Sequence, residues 1–356
     1  MRVLITGAGG LIGFEASKFF LEQNVEVVGI DNNMREYFFG PDGSIAKSIE
    51  WLERTFDKFQ NLNVDIRNRE RIARIYQEEG PFDLIIHTAG QPSHDWASKE
   101  PFTDFDINAV GTHNMLENFR LFSPRGVFIL VSTNKVYGDT PNQVNLIELE
   151  KRYEYAERQS KPGVSSKGIS EGMSIDNSTH SLFGSSKLAA DILAQEYGRY
   201  FKLNVGIFRG SCLTGPHHAA VELHGFLSYI VQCALDRRSY TIFGYKGKQL
   251  RDQIHSKDVV KAFYEFYKKP KQGTVYNLGG GKENSTSILE MIDLLRKDFG
   301  LDLVYTYNDR NRIGDHICYY SDLSKLKSDY PEWKVKIKLP EIVEEIVRLR
   351  SGAWAG

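Results

Sequence analysis

Apolar residues along the chain follow two alternating rhythms. Short aliphatic, β-prone runs stand at 3–6, 25–30, 63–66, 84–87, 127–132 and 205–209 and read as strands one to six. Between them lie stretches with helical spacing, about 11–23, 68–79, 103–121 and 182–201, and an extra helix is expected around 45–59. Repeated strand–helix units predict a parallel sheet covered on both faces. After residue 209 the alternation becomes irregular, as in a smaller second lobe. Residues 139–180 are long, polar and rich in Gly, Ser, Lys and Glu, so they are expected to form a lid or a mobile insertion.

The first strand runs directly into Gly7-Ala8-Gly9-Gly10-Leu11-Ile12-Gly13. Glycines at 7, 10 and 13 allow a tight turn, a close approach of backbone to a pyrophosphate, and close packing of helix on strand. The helix start at Leu11 and Ile12 offers backbone N–H groups and partial positive charge to phosphates. Asp31 closes the second strand, where its carboxylate suits ribose hydroxyls and repels a 2′-phosphate, with Asn32 beside it. The expected cofactor is therefore NAD, although Arg35 keeps NADP open. The fold class is α/β, a Rossmann-type doubly wound parallel sheet with a smaller C-terminal substrate lobe. The expected division is 1–208 for the NAD lobe, with 139–180 inserted, and 209–356 mainly for the substrate lobe, with segments around 252–278 returning to the first.

Composition narrows the function classes. With 356 residues and 41% hydrophobic content the chain can bury a large core. Forty-five basic against 46 acidic residues leave a formal charge of −1, which argues against nucleic acid as a partner. Cys212, Cys233 and Cys318 lack metal-ligand spacing, so no metal is expected and a reducing compartment fits. No run approaches membrane-span length and the glycine turn follows the chain start closely, so no membrane, no leader and a cytoplasmic location are expected.

Further motifs follow the same order along the chain: Val64-Asp65-Ile66-Arg67, His87-Thr88-Ala89-Gly90-Gln91, Ser132-Thr133-Asn134-Lys135-Val136-Tyr137-Gly138-Asp139, Ser185-Ser186-Lys187-Leu188-Ala189-Ala190-Asp191 and Arg251-Asp252-Gln253-Ile254-His255. Together with the glycine turn they resemble the extended short-chain dehydrogenase/reductases, in the group of nucleotide-sugar epimerases and dehydratases, over nearly the whole chain. The Ser-Thr-Asn-Lys-Val-Tyr-Gly-Asp string is most similar to the subgroup that epimerises CDP-paratose at C2.

The resemblance implies roles by position. Asp65 and Ile66 would grip the adenine from the end of strand three. Ala89, Gly90 and Gln91 would line the ribose and pyrophosphate. Asn108 reads equally as a cofactor contact or as a polar tie between helix and strand. Thr133 would bond the sugar hydroxyl being oxidised, and Lys187 the nicotinamide ribose. Asn134 and Lys135 would face substrate, and they replace the Asp-Glu pair with which the group's dehydratases do acid–base work. Ser211, Tyr245, Arg251 and Arg312 would hold the nucleotide diphosphate-sugar. Phe105, Ile107, Val110, Met115, Leu188, Ile192, Leu193 and Tyr197 are expected to help pair two copies through a four-helix bundle, giving a homodimer.

One position departs from the resemblance. The family places a catalytic tyrosine four residues before the lysine, and here Phe183 stands there. Phenylalanine cannot take a proton. Three readings stay open: an introduced change, a branch with its base elsewhere, or a non-catalytic NAD-binding regulatory protein. Candidate substitute bases are Tyr137, His180, His217, His218 and Lys187. The expected function is NAD-dependent epimerisation of a nucleotide-activated sugar through a transient ketone. A 4-epimerase or a nucleotide-sugar reductase is the alternative.

Overall fold

The computed structural model describes residues 1–218, 225–311 and 314–352. The chain divides into two compact units, Met1–Val136 with Leu182–Arg209 and Val259–Tyr276, and Tyr137–Ser181 with Gly210–Asp258 and Asn277–Gly356. Residues 139–180 thus cluster with the second unit rather than standing as an insertion in the first.

The first unit begins with β1 (Arg2–Thr6), α1 (Leu11–Leu21), β2 (Glu26–Ile30), α2 (Met34–Phe39), α3 (Ala46–Thr55), β3 (Phe59–Leu62), α4 (Arg69–Glu79) and β4 (Leu84–His87). It continues with α5 (His94–Lys99), α6 (Pro101–Phe105), α7 (Thr112–Phe122), β5 (Val127–Thr133), α8 (Ser181–Tyr200), β6 (Asn204–Gly210), α9 (Ser256–Lys268) and β7 (Thr274–Leu278). Seven strands form one sheet in the order β7-β6-β5-β4-β1-β2-β3. The pairs β3·β2, β2·β1, β1·β4 and β4·β5 are parallel. The strand order reverses between β1 and β4, which opens a crevice at their C-terminal ends. The Rossmann-type reading therefore holds. Leu4, Ile85, Phe128, Leu130, Val205 and Ile207 from the strands, with Ile72, Met115 and Phe119 from the helices, build its core.

Three local expectations change. The third strand is Phe59–Leu62, in register with Val27–Ile30, not 63–66. Val64 and Ile66 bury their side chains from the following loop, so their apolar alternation reports burial rather than pairing. Asp65 and Ile66 accordingly lie beyond the strand. The extra helix ends at Thr55, and α2 precedes it where no helix was read. The helix expected at 103–121 is broken: a π-helical turn, Asp106–Gly111, joins α6 to α7. Such turns recur at functional sites.

The second unit has its own core, with Leu227, Ile230, Val231, Ile242, Met291, Leu295, Ile342 and Ile346 among its members. A four-stranded sheet runs Cys212–Thr214, Leu250–His255, Ser285–Ser287, with Cys318–Tyr319 paired to the central strand. Two short antiparallel ribbons, Leu146–Glu148 with Tyr153–Tyr155 and Val164–Ser165 with Gly168–Ile169, structure the segment expected to be a lid.

Candidate functional site

At the β1–α1 turn, Gly7 adopts φ +69°, and a Cβ there would come within 2.9 Å of the Ala89 amide nitrogen. A Cβ on Gly13 would stand 2.0 Å from the Gly7 carbonyl oxygen. Glycine is required at both positions, one for its backbone angle and one for space. Gly10 is the N-cap of α1 and brings no capping side chain, leaving the helix start to a phosphate. Asp31 accepts from the Gly9 amide (3.0 Å) and the Asn33 amide (2.9 Å). Burial raises its pKa, an effect opposed by those two amides and by Arg35. Burial in turn lowers Arg35 to about 10, against the pull of Asp31. Asn32 donates to Asp65 (3.3 Å), and Asp65 pairs with Arg67 (2.7 Å). Burial alone would raise the Asp65 carboxyl, but the Arg67 bonds outweigh it and hold the group low. This cradle of glycines, helix amides and an acid at the end of β2 fits a dinucleotide.

Across the crevice the β4 end is tied down by polar contacts. His87 lies between the Thr6 hydroxyl (2.6 Å) and the Thr112 hydroxyl (3.0 Å). Burial and nearby Lys187 push it down to about 3, so it is neutral and structural. Thr88, Ala89 and Gly90 follow. A Cβ on Gly90 would lie 3.0 Å from the Asn108 amide oxygen and 3.7 Å from Lys187 Nζ.

Gln91 and Asn108 are both buried. Asn108 Oδ1 accepts from the Gln91 amide (2.9 Å), while its Nδ2 donates to the Gln91 carbonyl (3.1 Å), Asp104 (3.0 Å) and Ser186 Oγ (3.1 Å). Gln91 Nε2 donates to Asp104 (2.7 Å) and the Ser93 carbonyl (2.8 Å). In these bonds Asn108 acts as the tie between helix and strand, and it also locks the β4 loop to α8.

On α8, Phe183 and Lys187 are one turn apart and both buried, with Phe183 7% and Lys187 9% exposed. Lys187 Nζ donates to the Val131 carbonyl (3.0 Å). Burial lowers the ammonium to about 8, partly opposed by Asp191 and Asp104. Thr133, at the end of β5, donates to Asn134 Oδ1 (3.4 Å) and accepts from the Lys135 amide (3.3 Å). Beneath them Asp191 is fully buried and accepts four bonds: Ser132 Oγ (2.6 Å), Arg209 Nε (3.0 Å), Arg209 Nη2 (2.9 Å) and Gln195 (2.7 Å). This knot fixes β5, β6 and α8 together. Its signal was an acid one helical turn past Lys187, among alanines. His94 was also missed. Its ring lies edge-on to Phe183, centroids 4.9 Å apart and planes at 68°.

Of the candidate substitute bases, Lys187 stands one turn from Phe183 on α8, while Tyr137 and His218 are engaged within the second unit. The Tyr137 hydroxyl donates to Asn277 (2.7 Å) in the second unit, fully buried. His218 is buried in that same unit, where its carbonyl accepts from Arg350 (2.7 Å). Ser211 is half-buried, and its hydroxyl donates to buried Asp252. Arg251 and Tyr245 do come together in the second unit. Arg251 Nη1 donates to its neighbour's carbonyl (2.8 Å), and the guanidinium pairs with Asp315 at 3.6 Å. Burial raises the Tyr245 phenol, Asp315 adds to this, and Arg251 opposes it. Arg312 lies outside the described residues.

Of the helix positions expected to pair two copies, Ile107, Met115 and Tyr197 are instead core residues. Phe105, Val110 and Ile192 stay exposed, joined by Phe102, Leu121 and Leu182. Among the described residues no helix is long and apolar enough to cross a membrane, and no group of His, Cys, Asp and Glu could hold a metal ion.

Residues 3–279 match the description "NAD dependent epimerase/dehydratase family". The chain is 30% identical over 353 residues to CDP-paratose 2-epimerase of Salmonella typhi, covering 97% of this chain and 98% of that protein. It is 26% identical to a putative UDP-glucose 4-epimerase of Methanocaldococcus jannaschii, covering 97% of each. The fold is similar to that of UDP-glucuronic acid 4-epimerase from Bacillus cereus, with a TM-score of 0.79, 23% identity and coverage of 99% and 100% of the two chains. The chain belongs to the NAD dependent epimerase/dehydratase family, and its cofactor is NAD.

Proposed function

We propose that this family member epimerises a nucleotide-activated sugar at a carbinol carbon, with C2 of a CDP-linked deoxyhexose such as CDP-paratose as the substrate of choice. The observation that carries this reading is the pair that follows Thr133. Asn134 is a buried amide bonded to the Thr133 hydroxyl, and Lys135 is a cation. Elimination of water needs an acid and a base at those places, and an amide beside a cation cannot share that work between them. Interconversion of carbinol and ketone needs only one proton acceptor and a hydride acceptor. The whole-length similarity to CDP-paratose 2-epimerase supports the same choice.

NAD, when bound, would supply a hydride acceptor and donor for this carbinol–ketone interconversion, with no net reductant consumed. The protein's part is to place and hold. Gly7, Gly10, Leu11, Ile12 and Gly13 seat the pyrophosphate, and Asp31 with Asn32 takes the adenosine ribose. Asp65 and Ile66 would flank the adenine, while Ala89, Gly90 and Gln91 would line the cofactor's ribose and pyrophosphate. Thr133 orients the reacting hydroxyl. Lys187 holds the nicotinamide ribose, and its charge steadies the developing alkoxide. Arg251 and Tyr245 in the second unit would meet the diphosphate, where a guanidinium fork suits two phosphate oxygens. The exposed apolar side chains of α6, the π turn, α7 and α8 would pair two copies.

The test is product stereochemistry. Holoenzyme with CDP-paratose should give the C2 epimer, read by NMR, with no accumulation of reduced cofactor. Conversion of a UDP- or dTDP-hexose at C4 instead would move the assignment to a 4-epimerase. No turnover of CDP-, UDP-, dTDP- or GDP-sugars would refute the epimerase reading.

A further inference from the structure

Oxidation of a carbinol releases a proton as well as a hydride, and Phe183 cannot accept it. We propose that His94 is the acid–base residue that replaces the absent phenol, an inference that rests on the epimerase reading above. His94 opens α5 just beyond the C-terminal loop of β4, at the crevice where an open parallel sheet binds its ligands. Its imidazole is half-buried and stands edge-on to the Phe183 ring, centroids 4.9 Å apart. It is therefore an ionisable ring against the side chain that occupies the tyrosine's place.

The surroundings hold that pairing firmly. The buried bonds among Gln91, Asp104, Asn108 and Ser186 tie the loop carrying His94 to the helix carrying Phe183 and Lys187. Ser93, the residue before it, has its carbonyl bonded by Gln91 (2.8 Å) and its hydroxyl capping α5 at the Trp96 amide (3.4 Å). A catalytic side chain needs this kind of support, because small displacements cost rate steeply. The other titratable groups nearby have different tasks. His87 is neutral and locked between two threonines, and Lys187 is a cation bonded to a carbonyl. The charged groups on the elements around His94 include Asp95 and Lys99 on its own helix, Arg35 and Glu36 on α2, whose Phe38 carbonyl accepts from Trp96, Asp104 on α6, and Lys187 and Asp191 on α8. An imidazole ordinarily titrates near neutrality, which suits transfer in both directions.

The step balances as follows. The sugar O–H bond breaks and its proton passes to the neutral His94 nitrogen, while the carbon's hydride passes to bound NAD⁺. The products are a ketone, an imidazolium and reduced cofactor. After the ketone turns over, the hydride returns to the other face and the imidazolium gives the proton back to oxygen, restoring both groups.

The experiment compares wild type, His94→Gln, Phe183→Tyr and the double variant as holoenzymes. Retained NAD is measured by mass, nucleotide-sugar affinity by titration, and single-turnover cofactor reduction across pH 5–9. His94→Gln should keep NAD and bind substrate within a few-fold, yet reduce cofactor about 10²–10⁴ times more slowly. It should also lose the acid limb of the pH profile. In the double variant the phenol returns beside Lys187, so at least tenfold of the rate should be regained, with a limb at a different pH. Reduction by His94→Gln within threefold of wild type, with the same limb, overturns the inference alone. So does a slow His94→Gln that has lost NAD or substrate in proportion and is not rescued by Phe183→Tyr, since His94 would then be a packing residue. A wild type that reduces its cofactor with no nucleotide sugar overturns the epimerase reading and this inference with it.

Discussion

Replacing Asp191 by alanine tests whether the knot under the site holds it in shape. Asp191 is fully buried and accepts four hydrogen bonds from Ser132, Arg209 and Gln195. The Arg209 side chain is 5% exposed, so the variant strips a buried guanidinium of its carboxylate. Breaking one side of a buried pair costs about 3–5 kcal/mol, mainly through the charge left behind. The neutral donors of Ser132 and Gln195 each add roughly 1 kcal/mol if they find no replacement. Their losses overlap with the first, so about 4 kcal/mol is the working figure. Thermal melting should show the first unit losing Tm by on the order of 10 °C. Because Asp191 also favours the charged form of Lys187, NAD should bind more weakly to the variant as well. The double variant Asp191→Leu with Arg209→Met removes both charges and should recover most of the lost stability. A single variant that melts with wild type, or a double variant no better than the single, would refute this account of the knot.

Arg251→Ala should weaken nucleotide-sugar binding about ten- to a hundredfold through loss of a charge-assisted contact of roughly 1.5–3 kcal/mol, with NAD retained; calorimetry measures it, and unchanged affinity would place the diphosphate elsewhere. The pH dependence of NAD affinity follows from Lys187. Its folded-state pKa of about 8 lies below the ordinary lysine value, so the ammonium is lost as pH rises through 8 and NAD should bind more weakly above it. Lys187→Met should flatten that fall, and an identical slope in the variant would remove the lysine from cofactor binding. The exposed Phe105, Val110 and Ile192 predict a dimer at micromolar concentration by light scattering, and Val110→Asp with Ile192→Asp should shift it to monomer.

Local features were the readable part of this chain. The glycine turn was legible because φ and crowding act within a few residues: Gly7 needs its positive φ, and Gly13 sits against the carbonyl of Gly7. Asp31 and Lys187 were legible because each is placed by its own element, at a strand end and one helical turn past Phe183. The parallel sheet followed from the repeated strand–helix rhythm, since parallel neighbours require crossovers. The third strand was misplaced because apolar alternation reports which side chains are buried, whereas a strand is defined by its partner. Phe59–Leu62 aligns with β2, while Val64 and Ile66 reach the same core from a loop. The π turn was hidden because its residues have ordinary helical spacing. The bond from Ser211 to Asp252 was hidden because the two lie 41 residues apart. The approach of His94 to Phe183 joins the loop after β4 to the helix after β5 across a gap in sequence that no local pattern spans. Periodicity tells which face of an element is buried. Which side chain waits on the other side is decided only when the sheet order brings those elements together.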